Sequence, residues 1–264
     1  FLDILLTNRA ALIAYGDIAL TGNDGRTWPA FFPAFDYERF LEQGYAASCF
    51  ALRRETVMSV MTKRPTTLFR LFNSVLDEGG PQVSNRVLHL PGVSAAIPMI
   101  DLASSRTQLA RATKAHLDAL GIPADIDQSK GSTLFPAVRV RRRVCEKPAV
   151  TILIPTRNRV DLLQTCIESV ERSAVEVEKE IIIIDNDTSD EKTKAYLNRV
   201  ESRGMKVLKM PGSFNYSRLI NRAVEIASTE YVCLLNNDVQ AVELGWLTEL
   251  LGRLADPSVG AAGA

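Results

Sequence analysis

The sequence predicts an α/β protein whose second half, residues 149–264, forms a mostly parallel sheet with helices on both faces. Three observations predict it. From Val150 onward, short apolar runs alternate with helical periods in the order β-α-β-α-β-α-β-α. Such alternation requires parallel strands joined by right-handed crossovers that pack helices onto the sheet. Three of the apolar runs end abruptly in polar residues: Pro155-Thr156-Arg157-Asn158, Asp185-Asn186 and Asn236-Asn237-Asp238. The run Tyr231 to Leu235 has the length and apolar continuity of a buried parallel strand. The residues before 149 lack this regularity and predict an α+β segment.

In chain order, residues 1–101 come first. Leu12 to Tyr15 is a strand candidate running into Gly16-Asp17, and Thr21 to Arg26 is a turn by its Gly-Asn-Asp-Gly core. Trp28 to Phe35 mixes aromatics with Pro29 and Pro33, so it cannot be a regular helix and reads as irregular. Tyr45 to Leu52 reads as a strand and Arg54 to Met61 as a short helix. Leu68, Leu71, Phe72 and Val75 stand at helical spacing and predict a helix from Leu68 to Leu76. Val87 to Leu90 predicts a short strand closed by Pro91-Gly92.

Over 103–120, Leu109, Ala112, His116, Leu117 and Leu120 share one helical face, and Gly121 with Pro123 supplies the stop. His116 has no partner in the sequence and is expected at the edge of the core or in solvent. Residues 124–148 read as a connector. Its Ser129-Lys-Gly-Ser-Thr133 run lacks the GxxxxGK frame of a phosphate loop. Arg139, Arg141, Arg142 and Arg143 read as a solvated strand or linker face, with a phosphate or membrane-surface contact as the rival.

The second half is regular. Val150 to Ile154 is a strand stopped by Pro155-Thr156, and Leu163, Cys166, Ile167 and Val170 form the next helical face. Ile181 to Ile184 is a buried strand, Asp190 to Glu201 a helix stopped by Gly204, and Met205 to Met210 a third strand. Leu219, Ile220, Ala223, Val224 and Ala227 line another helix. After the strand Tyr231 to Leu235, the residues Trp246, Leu247, Leu250, Leu251 and Leu254 line the last one, with Trp246 expected in the core.

Ligands of open α/β sheets sit outside the carboxyl ends of the strands, where the three polar runs fall. A hard divalent cation takes oxygen ligands, commonly one or two carboxylates plus phosphate oxygens, and Asp238 offers such a carboxylate. The rival reading of Asn236-Asn237-Asp238 is a simple turn. A dinucleotide fold is excluded, because its GxGxxG is replaced by Pro155-Thr-Arg-Asn-Arg159 after the first strand. Asp187 is expected to cap or turn the chain, and Arg218 to be either surface charge or a phosphate contact.

Composition narrows the classes. Thirty-one basic and 31 acidic residues cancel, which argues against a general nucleic-acid binder. Cys49, Cys145, Cys166 and Cys233 show no CxxC or zinc spacing, and His89 and His116 are isolated, so reduced, packing thiols of a cytoplasmic protein are expected. No apolar run approaches the roughly 18 residues of a membrane span, and no signal peptide is visible. The chain starts at Phe1, and a piece of a longer protein is expected.

Thr151-Ile-Leu-Ile-Pro-Thr-Arg-Asn-Arg159, Ile184-Asp-Asn-Asp187, Phe214-Asn215-Tyr216 and Leu234-Leu-Asn-Asn-Asp-Val239 resemble the inverting family 2 glycosyltransferases of the GT-A fold. The preference for Asn-Asn-Asp over Asp-x-Asp is similar to the bacterial polysaccharide and rhamnosyltransferase-like branch. The first half resembles the family more weakly, through Tyr15-Gly-Asp17, Gly25-Arg26, Pro29 to Phe35, Gly44-Tyr45 and Arg53-Arg54. This implies tandem partial domains. Residues 1–101 would be the C-terminal portion of a degenerate GT-A-like domain, 102–148 a helix and linker, and 149–264 the nucleotide-sugar-binding half of a second domain.

The resemblance implies transfer of a sugar from a dTDP- or UDP-linked donor to a glycan or lipid-linked acceptor in bacterial polysaccharide synthesis. It implies Mg²⁺ or Mn²⁺ at Asp238, with Pro155, Thr156, Arg157, Asp185, Asn186, Asn215, Asn236 and Asn237 around the donor. The family's general base is expected beyond Ala264, so no catalytic residue is assigned. A cytoplasmic location is implied, and peripheral membrane association stays open. Two departures remove acids from the first half: Asp17-Ile18-Ala19 stands for Asp-Glu-Asp, and Pro65-Thr-Thr-Leu68 for an Asp-rich segment. The competing readings are a non-catalytic scaffold of glycosyltransferase-like halves and a sugar nucleotidyltransferase. The latter wants a glycine-rich loop that Pro155 to Asp161 lacks.

Overall fold

The computed structural model describes residues 1–99, 101–129, 135–144 and 148–263. Cys145, Glu146-Lys147 and the Lys130 to Thr133 part of the discarded loop lie outside the described residues. The chain divides into two compact units, Phe1–Arg143 and Val144–Ala264.

The first unit opens with helix α1 (Leu2–Thr7) and strand β1 (Ile13–Thr21), followed by β2 (Thr27–Ala30), α2 (Tyr37–Gln43), β3 (Phe50–Leu52), α3 (Arg54–Val60), α4 (Leu68–Leu76) and β4 (Val87–Pro98). It closes with α5 (Leu102–Ala119), β5 (Ala124–Asp127) and β6 (Arg139–Arg142). β1 is its axis. β2 and β3 pair antiparallel with it, and β4 runs parallel along its whole length. Several expectations are corrected here. The strand at Leu12 to Tyr15 continues through Gly16-Asp17 to Thr21. The one at Val87 continues past Pro91-Gly92, because register shifts about Asp17 absorb the two residues as a bulge. Trp28 to Ala30 is an edge strand, and Tyr45 to Ala47 is a 3₁₀ turn ahead of β3.

His116 is also corrected: it is fully buried. Its Nδ1 lies 2.7 Å from Asp77 and its Nε2 2.7 Å from the Tyr37 hydroxyl. Arg70 bonds both Asp77 oxygens and Lys63 reaches one of them, so the carboxylate ties α4 to α5 through His116, and His116 carries the link on to Tyr37 of α2. Burial pushes the Asp77 pKa up, but the bonds from His116 and Arg70 outweigh it and hold the carboxyl well below the usual range. The arginine run is paired: Arg142 with Glu38, Arg143 with Asp125 and Arg141 with Asp127. These pairs leave the phosphate or membrane reading of the run without support.

The second unit is the predicted alternation: β7 (Ala149–Thr156), α6 (Val160–Ser173), β8 (Glu178–Asp185), α7 (Glu191–Ser202), β9 (Lys206–Lys209), α8 (Tyr216–Val224), β10 (Tyr231–Leu234) and α9 (Trp246–Leu254). The sheet is all parallel in the order β10-β7-β8-β9. Side chains alternate across it. Val150, Ile152, Ile154, Ile181 and Ile183 pack against α6, α7 and α9, while Leu153, Ile182 and Ile184 pack against α8. Each such burial contributes about 1.5–3 kcal/mol, so the sheet is held from both faces. Trp246 is packed against the larger cluster and donates to Ser173 Oγ at 3.0 Å. Among the described residues no helix is long and apolar enough to cross a membrane.

Candidate functional site

Strand order fixes where a ligand can lie. From β7 the chain steps to β8 and β9 on one side, and then returns to β10 on the other. The crevice between the ends of β7 and β10 is therefore the topological switch point. Thr156 ends β7, and its hydroxyl accepts from Asn237 Nδ2 at 3.1 Å. The Asn236-Asn237-Asp238 turn is thus tied to β7 at the crevice. Leu235 is buried and anchors the turn, and its N–H donates to Leu153 at 3.0 Å.

Asn236 and Asp238 are exposed, and Asn237 is half-buried. The Asp238 carboxylate has no hydrogen bond or ion pair among the described residues. Its charge is felt at Arg159 and at the Cys166 thiol, which places it beside the start of α6. Arg159 itself pairs with Asp161, whose carboxyl is held down at about 2 by that bond. Burial, with a smaller push from Asp238, raises the Cys166 thiol to about 11, so it is a packing residue.

The β8 end is organised by its neighbours. Asp185 accepts from Thr188 N–H at 3.0 Å through Oδ1, which leaves Oδ2 for other partners. Asn186 is buried, and its amide donates to the carbonyls of Met210 and Gly212, 2.9 and 3.1 Å away. Its Oδ1 is buried without a protein partner. A cavity of about 430 Å³ opens between α7 and the ends of β8 and β9, with Asp185, Thr188, Lys194 and Lys209 among its walls. Asn215 caps α8 by accepting from Arg218 N–H at 3.0 Å, and exposed Phe214 and Tyr216 flank it. Arg218 is committed to the Ser213 carbonyl at 3.1 Å. Pro155 is half-buried in β7, and Arg157 is exposed just after it.

One residue outside the expected set does much of the positioning. Asn158 adopts a left-handed φ of 52°, which asparagine tolerates better than most residues. Its Oδ1 accepts from the N–H groups of Ser189 and Asp190 at 2.7 and 2.9 Å, and its Nδ2 donates to Ser189 Oγ. It therefore staples the β7 exit loop to the β8 exit loop. The signal was present in Thr-Arg-Asn, since asparagine is the residue that both enters this region and bonds neighbouring backbone. Asp187 also has a left-handed φ, 64°, in the turn it was expected to make.

The second unit is thus a parallel α/β sheet whose polar strand ends gather at its topological switch point. Residues 151–264 match the family model described as Glycosyl transferase family 2. The O-antigen biosynthesis protein RfbC of Myxococcus xanthus is 29% identical over 272 residues, an alignment covering 96% of this chain and 21% of that protein. A second relative, the uncharacterized protein y4gI of Sinorhizobium fredii, is 34% identical over 119 residues, 44% of this chain and 13% of its own length. The chain therefore spans about a fifth or less of these relatives. Among solved structures, the mannosyltransferase PcManGT of Pyrobaculum calidifontis, in complex with GDP-Man and Mn²⁺, is 18% identical. That match has a TM-score of 0.37 and covers 60% of this chain and 44% of that one.

Proposed function

We propose that the second unit binds a dTDP- or UDP-linked sugar and serves its transfer, with inversion at the anomeric carbon, to a glycan or lipid-linked acceptor in bacterial polysaccharide synthesis. The observation that carries this reading is the crevice between β7 and β10. There Asn237 bonds Thr156, and the exposed Asp238 carboxylate has no partner among the described residues. The similarity to an O-antigen biosynthesis protein along nearly the whole chain supports the polysaccharide setting.

The residues fit a divalent ion of the oxygen-seeking kind. Among the described residues no three His, Cys, Asp or Glu side chains cluster to hold a metal by themselves. A lone exposed carboxylate suits Mg²⁺ or Mn²⁺, whose remaining ligands are diphosphate oxygens and water. Bound there, such an ion would neutralise charge on the leaving nucleotide. The other groups bind and orient. Asp185 Oδ2 accepts an N–H from the base. Thr156 and Arg157 border the base, and Asn236 offers its amide to sugar or ribose. Asn186 and Asn158 hold the loops that carry these groups, and Asn215 fixes the start of α8 near the phosphates. In the first unit the matching acid is spent on structure, which supports reading residues 1–101 as a decayed domain.

Titration calorimetry of the full chain with dTDP and UDP, with and without Mn²⁺, tests the proposal. Metal-dependent binding at one site is expected. A folded sample that binds neither nucleotide in any combination would reject it.

A further inference from the structure

We propose that the first unit carries a binding pocket for an uncharged sugar residue of a glycan, separate from the strand-end site. A cavity of about 280 Å³ opens between the C-terminal end of α2, the start of α4 and α5. That volume suits one pyranose ring rather than a nucleotide. The rings of Phe69 and Phe135 and the side chain of Leu68 form its apolar wall. Gln43, Ser48, Ser105 and Gln108 form its polar rim. No charged side chain lines it among the described residues, which sets it apart from the cavity of the second unit with its aspartates and lysines.

The rim groups are only partly used. Gln43 Oε1 accepts from Arg39 Nε at 2.9 Å, so its NH₂ group faces no protein partner among the described residues. Gln108 donates to Ser104 Oγ at 3.2 Å, which leaves its carbonyl oxygen. The hydroxyls of Ser48 and Ser105 make no bond within the described residues. Two amides and two hydroxyls sharing a cavity with two phenyl rings match the two surfaces of a pyranose. Its C–H face packs on the rings, and its hydroxyls exchange hydrogen bonds with neutral donors and acceptors. The lining itself offers a phosphate or uronate no cation among the described residues, and Arg39, just outside it, is held by Gln43 Oε1 and over the Tyr45 ring. The floor is closely packed: Gly44, at φ +60°, ends α2 with Phe69 placed where a side chain would begin.

The glycan setting is taken from the proposed function, but the pocket is tested without any nucleotide. Saturation-transfer NMR on the full chain would use methyl glycosides of glucose, galactose, mannose and rhamnose, with methyl glucuronide as the charged control. Transfer to at least one neutral glycoside is expected, about 10-fold weaker in Gln108→Ala and in the pocket-filling Ser105→Leu. Methyl glucuronide should give about 10-fold less transfer than the neutral sugar that binds. No transfer to any neutral glycoside, equal transfer to the glucuronide, or unchanged transfer in both variants would overturn it. Gln108→Ala lies on the solvent side of α5, so folding does not confound it. Loss of nucleotide binding with glycoside binding intact would instead count against the reading of the second unit alone.

Discussion

Asp17 and Asp238 stand in similar sequence contexts and meet opposite fates. Each closes an apolar run, Leu12 to Tyr15 in one unit and Tyr231 to Leu235 in the other. Asp17 is 2% exposed. It accepts from Phe32 N–H at 2.8 Å and Gly92 N–H at 2.7 Å, and lies 2.9 Å from His89 Nε2. Burial raises its pKa, but these three bonds outweigh burial and leave the carboxyl below its usual range. His89 in turn stacks on Tyr15 at 4.9 Å. Asp238 is exposed and has no partner among the described residues. The difference comes from the neighbours. In the first unit β4 runs the length of β1 and folds its Pro91-Gly92 bulge over the acid. In the second, β10 ends beside β7 and nothing described closes over the turn. A carboxylate that follows an apolar run is left exposed or made a clamp according to what packs against it.

The largest expected effect breaks this comparison on stability. Asp17→Ala leaves two backbone N–H groups and His89 unsatisfied in the core, and should cost about 3–5 kcal/mol. Asp238→Ala, on an exposed turn, should stay within about 0.5 kcal/mol. Urea denaturation of both variants measures the contrast. Next comes affinity. Asp238→Asn should weaken Mn²⁺-dependent nucleotide binding by about 10–100-fold, roughly 1.4–2.8 kcal/mol, while leaving metal-free binding unchanged by calorimetry.

The buried clamp at Asp77 predicts a pH dependence. Its folded pKa lies below its unfolded value, so the unfolded chain binds the proton more readily. Its contribution is whole above about pH 4 and is lost as the pH falls through the folded value. Asp77→Asn should flatten the acid limb of the stability profile. The smallest effect sharpens the second unit. Asn158→Gly keeps the left-handed backbone and removes the staple, so nucleotide binding should weaken about 3–10-fold, with a stability loss of about 1–2 kcal/mol.

The parallel unit was legible because its central strands carry the apolar runs Val150 to Ile154 and Ile181 to Ile184 and its helices keep a 3.6-residue period, whereas β10, expected as a buried strand, is an edge strand with Val232 and Leu234 exposed. Leu163, Cys166, Ile167 and Val170 lie buried on the expected face of α6, and Leu219, Ile220 and Ala223 on that of α8, while Val224 is exposed at the helix end and Ala227 lies beyond it. The polar strand ends were legible for the same reason, as abrupt breaks in apolar runs. The first unit hid more. β1 and β4 carry Gly16-Asp17 and Pro91-Gly92 in mid-strand, and only their mutual bulge makes room for both. His116 looked isolated because Tyr37 and Asp77 are far away in sequence. The work of Asn158 was hidden because its bonds run to residues about thirty positions on.

The most direct measurement uses Mn²⁺ as a paramagnetic probe on the isotope-labelled chain in the presence of UDP or dTDP. Amide signals around Asp238 and Thr156 should broaden, while those of Asp17, His89 and Gly92 stay sharp. Broadening centred on Asp17, or equal broadening of both regions, would contradict the assignment of one carboxylate to the ligand and the other to the fold.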